Sequence, residues 1–333
     1  MVPGKRLPPP VDPALIATLL TFLSLPQPTS IAPLEANAAF HRIYLIHYAS
    51  PPAELLDLRP NVLGREFTLL ERMPGRSVDS VYARLPEAAR LRLVNRLIDA
   101  LVELHAHAFR HVGGLQLVGG DVVPGPLLED TFWFLPDMEA EFGSDESVEA
   151  PSPAGPYASH ADFVKGLVGA FVHAISMHER LAWARGLLPR LRALAVELPR
   201  LRLDTKMVLA HKDLHLGNVM ASGDGELTAI LDWEFAAVVP AVRRDPARGF
   251  LWNCQYSQEG HDEKYRMRAL FERELERRGV DKWWEATNGD IDAVWDVVRY
   301  ERAIVEVCPR ADKMDLCRAW RRKAEEALAR LGV

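Results

Sequence analysis

The segment from Val208 to Glu234 constrains the fold more than any other part of the chain. Val208-Leu209-Ala210 reads as a short apolar strand and is followed by the polar run His211-Lys212-Asp213-Leu214-His215-Leu216-Gly217-Asn218. Val219-Met220 and Leu227-Thr228-Ala229-Ile230-Leu231 read as two more strands, with Ser222-Gly223-Asp224-Gly225 between them as a hairpin turn signal. A hairpin of that length returns its second strand to the start of its first. It therefore brings Asn218 near Asp232, the first residue of Asp232-Trp233-Glu234. One amide and one carboxylate at such a junction suit magnesium, which takes hard oxygen ligands, keeps several waters and lets substrate phosphates complete its shell.

The same run has the form His-x-Asp-x-x-x-x-Asn, the catalytic loop of protein kinases, which a second metal-binding Asp follows. Asp213 fills the place of the base that accepts the proton of an attacking hydroxyl, while Asn218 and Asp232 fill those of the magnesium ligands. His211 belongs to the same catalytic loop and reads as its scaffold, because the imidazole there holds the loop by hydrogen bonds. His215 falls where protein kinases put a Lys that faces the transferred phosphate. It reads either as a substrate contact or as a cap of the loop.

Together with Phe235-Ala236 and Pro240 downstream and Phe67-Thr68-Leu69-Leu70-Glu71-Arg72-Met73-Pro74-Gly75 upstream, these residues resemble the aminoglycoside phosphotransferase-like superfamily of small-molecule kinases. The Asp-Trp-Glu variant is similar to its large fungal branch. Val102-Glu103-Leu104-His105, Phe109-Arg110-His111-Val112-Gly113-Gly114-Leu115, Gly125-Pro126-Leu127 and Gly155-Pro156-Tyr157-Ala158-Ser159 fall in the order that branch shows, so the likeness runs from about Pro33 to Trp252.

The resemblance implies an α+β, protein-kinase-like two-lobed fold. A reduced antiparallel-sheet N-lobe would occupy residues 1–75, with a hinge at 71–75, and a large, mainly helical C-lobe residues 76–333. It also implies ATP and magnesium as cofactors and a hydroxyl of a small molecule as acceptor. The adenine edge is expected on the backbone around Glu71 and Met73, and Asn37 lies in the loop of the nucleotide-covering hairpin. Glu234 falls at the mouth of the acceptor site, where an acidic group suits an amine or a hydroxyl-rich molecule; pairing with Arg243 is the structural alternative.

One stretch departs from that pattern. A kinase N-lobe carries a phosphate-binding Lys on its third strand and a helix bearing its Glu partner. The segment from Ser50 to Gly64 is too short for both, since a crossover with its helix takes about 10–12 residues. Lys5 is the only lysine before Lys165, which leaves Arg59 as the substitute cation. Arginine binds phosphate through a planar fork rather than as a point charge, and the exchange is not conservative. A catalytically impaired pseudokinase that binds a ligand is therefore the alternative function.

The rest of the sequence sets limits. A net charge of −6 with no basic run excludes a nucleic-acid footprint, and no segment has the eighteen or so apolar residues of a membrane span. Three cysteines without metal-type spacing point to a reducing compartment, so a cytoplasmic protein is expected. Lys5-Arg6 and the apolar run Leu15 to Leu23 have a faint signal-peptide look. Asp12-Pro13 instead marks a helix N-cap with Pro at the first helical position. Apolar periodicity predicts helices at Leu85 to His105, Asp162 to His178, Leu187 to Leu198, Lys264 to Arg278, Ile291 to Val307 and Lys313 to Leu331. Phe67 to Glu71 is expected as a strand and Gly119 to Pro156 as a long surface loop. Trp252, Trp283, Trp284 and Trp295 are candidates for an aromatic cage or for core packing.

Overall fold

The computed structural model describes residues 9–34, 42–49, 63–64, 67–128, 154–244, 257–307 and 314–333. Asn37, Arg59, Trp252 and most of the stretch from Ser50 to Gly64 lie outside them. The chain divides into two compact units, Met1–Met73 and Pro74–Val333.

In the first unit, helix α1 (Pro13–Phe22) starts where its sequence says it should. Asp12 accepts a hydrogen bond from the Ala14 amide at 2.8 Å, and Pro13 contributes no orphan donor. Ile16, Leu19 and Leu20 recur at helical spacing and are buried. Strands β1 (Ser30–Pro33) and β2 (Tyr44–His47) pair antiparallel, with Ile31 opposite Ile46 and Ala32 opposite Leu45. Helix α1 packs against β1, and the Val11 amide donates to the Tyr44 hydroxyl at 2.8 Å, which ties the start of the helix to β2. The strand expected at Phe67 to Glu71 does not form: the residues carry no ladder among the described residues. An extended apolar run becomes a strand only when a partner edge is presented to it.

The second unit begins with β3 (Arg76–Ser77), α2 (Val78–Val81) and α3 (Glu87–Ala106). A hairpin of β4 (Gly114–Val118) and β5 (Asp121–Gly125) follows, then α4 (His160–Met177) and α5 (Leu188–Glu197). The hairpin corrects the expectation of an unbroken loop from Gly119 onward; Gly119 and Gly120, at φ +61° and +95°, make the two-residue turn that only such residues allow easily. Four strands come next, β6 (Met207–Ala210), β7 (Val219–Ala221), β8 (Leu227–Ile230) and β9 (Ala237–Pro240), and then α6 (Gln258–Arg278), α7 (Gly289–Val307) and α8 (Met314–Arg330). Helix α6 is bounded by its sequence: Ser257 accepts from the Gly260 amide, and Gly279, at φ +66°, closes the last turn.

The strands are nested. β6 pairs with β9, Ala210 facing Ala237, and inside that pair β7 and β8 form a hairpin with Val219 facing Ile230. β3 adds to the outer edge of β7, giving the order β3-β7-β8. Gly225 closes the β7–β8 turn at φ +86°, and a Cβ there would lie 2.2 Å from the Ala89 carbonyl oxygen, so this turn sits directly on α3.

Two apolar cores flank the nest. One joins α2, α3, β7 and α6 through Leu93, Leu97, Ile98, Val219 and Phe271. The other joins α4, α5, β9, α7 and α8 through Val168, Ile175, Leu191, Val239, Val297 and Leu328. Trp283 and Trp284 pack with Phe271 in and against the first, whereas Trp295 belongs to the second, stacked on His160 and covered by the Arg243 guanidinium at 3.9 Å from its ring centre. The three tryptophans therefore do not converge on one cage.

Candidate catalytic and metal site

Nesting places two loops side by side. The loop 211–218 leaves β6 and enters β7; the loop 231–236 leaves β8 and enters β9. Because Ala210 faces Ala237 and Val219 faces Ile230, each loop is fixed to the other at both ends. The Leu231 amide adds a hydrogen bond to the Asn218 carbonyl at 2.8 Å, so the chain reaches Asp232 one residue beyond a direct tie to Asn218.

The loop 211–218 is rooted by alternation. Leu214 and Leu216 are 2% and 0% exposed and belong to the core beneath α3, while Asp213, His215 and Asn218 between and beyond them are only partly covered. Burying each leucine contributes about 1.5–3 kcal/mol, which holds the intervening polar side chains at the surface of the core.

His211 is 2% exposed, and its Nε2 donates to the Leu231 carbonyl at 2.6 Å, a second tie between the loops. A carbonyl can only accept, so the ring carries its proton on Nε2. Its Nδ1 finds no hydrogen-bond partner among the described residues, and burial holds the imidazole below the usual histidine range. A neutral ring follows from both observations. Trp233 leans on it, ring centres 4.7 Å apart, with its indole N–H donating to the Ile230 carbonyl.

The Asn218 amide nitrogen points at Asp213, 2.9 Å from its carbonyl oxygen and 3.3 Å from Oδ2. With the nitrogen engaged there, the amide oxygen faces the other way. This orientation fits a cation ligand, since a metal requires the oxygen and not the nitrogen. Asp232 and Glu234 are exposed. Two of the three described non-glycine residues with positive φ fall in these loops, Lys212 at +70° and Asp232 at +66°. That backbone region costs a side-chain-bearing residue about 1–2 kcal/mol, and strain of this kind gathers where surrounding structure imposes a functional geometry. The Lys212 ammonium reaches the Leu128 carbonyl.

Two residues near the loop went unread in the sequence. The Ser77 hydroxyl donates to the Gly217 carbonyl at 3.1 Å, and burial pushes the carboxyl of Asp79, in the first turn of α2, above its usual range, with His215 acting in the opposite direction. Both lie just after Gly75 in the segment expected to follow the hinge. Their only sequence signal was that position. Glu71 and Met73 lie in the first unit and are respectively exposed and partly buried.

This mixed helix-and-strand architecture is that of the two-lobed, protein-kinase-like fold. The chain belongs to the phosphotransferase enzyme family, within the aminoglycoside phosphotransferase-like superfamily, for the family's model matches residues 21–243. It is accordingly a phosphotransferase-family protein of the kind that acts on small molecules. No curated protein and no solved structure matches the chain.

Proposed function

We propose that the protein transfers the γ-phosphoryl group of ATP to a hydroxyl of a small molecule, in the presence of magnesium. The observation that carries this reading is the pair of loops fixed to each other at both ends, with the Asp213 carboxylate at the surface and the Asn218 amide nitrogen turned onto Asp213. Asp213 orients the acceptor hydroxyl and takes its proton at a carboxylate oxygen. Asn218, through its amide oxygen, and Asp232, through its carboxylate, are the residues that would hold magnesium. When bound, the metal supplies charge neutralisation for the phosphates. His211 keeps the two loops in register, and catalysis rests on positioning and electrostatics rather than on a covalent intermediate.

In this reading residues 1–75 form the N-lobe and residues 76–333 the C-lobe. The backbone around Glu71 and Met73 takes the adenine edge, Asn37 and Arg59 serve the phosphates, and Glu234 stands at the acceptor mouth, suited to an amine or a hydroxyl-rich molecule. The protein works in the cytoplasm.

A pseudokinase that binds a ligand without turnover is the second reading. Its support is the absence of any lysine between Lys5 and Lys165, since loss of one preorganised donor typically costs on the order of 10²–10³ in rate. Isothermal titration with ATP and magnesium, followed by ADP release against a panel of hydroxylated amines and sugars, separates the two. Binding with acceptor-dependent ADP release supports the kinase, binding alone the pseudokinase, and neither would end both.

A further inference from the structure

The second histidine of the loop has one ring nitrogen in a hydrogen bond and the other near the proposed base. The Gly217 amide donates to His215 Nδ1 at 3.0 Å, so Nδ1 is an acceptor and, in the neutral ring, the proton sits on Nε2. Nε2 lies 3.7 Å from Asp213 Oδ2. That is ion-pair distance, within the range that tightens to a hydrogen bond when a substrate closes an active site. The ring is held there on several sides. A Cβ on Gly217 would lie 2.6 Å from His215 Cε1 and 2.8 Å from Nδ1, so that edge of the imidazole occupies a position that only glycine leaves open. The Ser77 hydroxyl donates to the Gly217 carbonyl and so fixes the residue on which the ring hangs.

We infer that His215 is a positioning residue for the proposed base. Its imidazole, hung on the Gly217 amide, presents Nε2–H to the oxygen of Asp213 that Asn218 also reaches, and so fixes the rotamer in which the carboxylate meets the acceptor hydroxyl. This differs from both readings that the loop pattern left open, a contact with the transferred phosphate and a cap of the loop alone. The inference rests on the phosphotransfer reading for its meaning in catalysis, though not for its geometry.

Two substitutions make opposite demands. Asparagine can place an acceptor where Nδ1 sits and so keep the Gly217 bond, but it does not reach Asp213. Glutamine can place a donor where Nε2 sits and lose the Gly217 bond. The assay is magnesium-dependent ADP release from ATP with water as the acceptor. His215→Asn is expected to lose about tenfold or more in kcat with KM for ATP within about twofold, and His215→Gln to recover to within about threefold of the parent. An asparagine variant equal to the parent, or a glutamine variant no better than asparagine, overturns the inference and leaves His215 as a loop cap.

A second measurement is independent of turnover. In protein carrying ¹⁵N-histidine, the His215 signals, identified by their loss in His215→Gln, should report the Nε2–H tautomer and shift in Asp213→Asn. A proton on Nδ1, or signals indifferent to Asp213→Asn, would refute it. A parent protein that neither binds nor hydrolyses ATP would end the phosphotransfer reading, and the tautomer measurement would still decide the geometry.

Discussion

Replacing Asp213 by Asn is expected to lower phosphoryl transfer about 10²–10⁴-fold, the usual contribution of a positioned base, while ATP affinity changes little. The carboxylate acts on the acceptor and not on the nucleotide, so equal turnover in both proteins would remove Asp213 from that role. At this scale the residue types of the proposed site can be assigned from the sequence, because phosphoryl transfer dictates them: a hard oxygen pair for a cation and a carboxylate for a proton. Orientation was not legible. That the Asn218 nitrogen turns onto Asp213, or that His215 spends Nδ1 on the Gly217 amide, depends on angles that no spacing encodes. Arg59 and Asn37, assigned from the same pattern, lie outside the described residues.

At the scale of elements, the turn on which the site hangs is sensitive to one glycine. Gly225→Ala forces a side chain into a left-handed backbone position and drives its Cβ to 2.2 Å from the Ala89 carbonyl oxygen. It is expected to cost about 2 kcal/mol or more, read as a lower urea midpoint at unchanged slope. In the first unit, α1 covers β1 with Ile16, Leu19 and Leu20. Truncation to begin at Ser30 should lower the melting temperature and raise binding of an apolar dye; an unchanged melting curve would show that the hairpin does without the helix. Elements with their own periodicity or punctuation, such as α1, α3 and the β7–β8 hairpin, could be read directly. The β6–β9 pairing could not, because nothing local names a partner that many residues away. The failed strand at Phe67 to Glu71 has the converse cause: a strand-like composition without a partner edge among the described residues. The β4–β5 hairpin was passed over although Gly119-Gly120 announced its turn.

For the molecule as a whole, stability should depend on pH through a group far from the loops in sequence. Glu301, on α7, is 0% exposed, and neither of its carboxyl oxygens finds a hydrogen-bond partner among the described residues. Burial pushes its pKa up to about 8; the positive charge of Arg321 opposes the shift and the negative charge of Glu325 adds to it. The unfolded chain ionises this group at an ordinary carboxylate pKa, whereas the folded chain holds the proton. Folding is therefore least penalised below the unfolded value, and stability falls as pH rises toward about 8, after which the loss is complete. Glu301→Gln should abolish that fall, so that its melting temperature exceeds the parent's by a margin that widens between about pH 5 and pH 8. A constant margin across this range would show that the carboxyl is not the source. An amphipathic helix pattern hides such a residue, since a glutamate at its edge looks solvated until the opposing helix is in place.

The nesting of β7 and β8 inside β6 and β9 also sets the order of events when the chain folds. Closing the inner hairpin spans only a short turn, and closing the outer pair then adds little further loop entropy, because the inner pair has already shortened the path between Ala210 and Ala237. The centre is thus a region of low contact order within a chain whose helical cores join distant segments, and such regions organise early. Val219→Ala should slow refolding with little effect on unfolding, whereas Leu328→Ala, in α8 and at the end of the chain, should mainly speed unfolding.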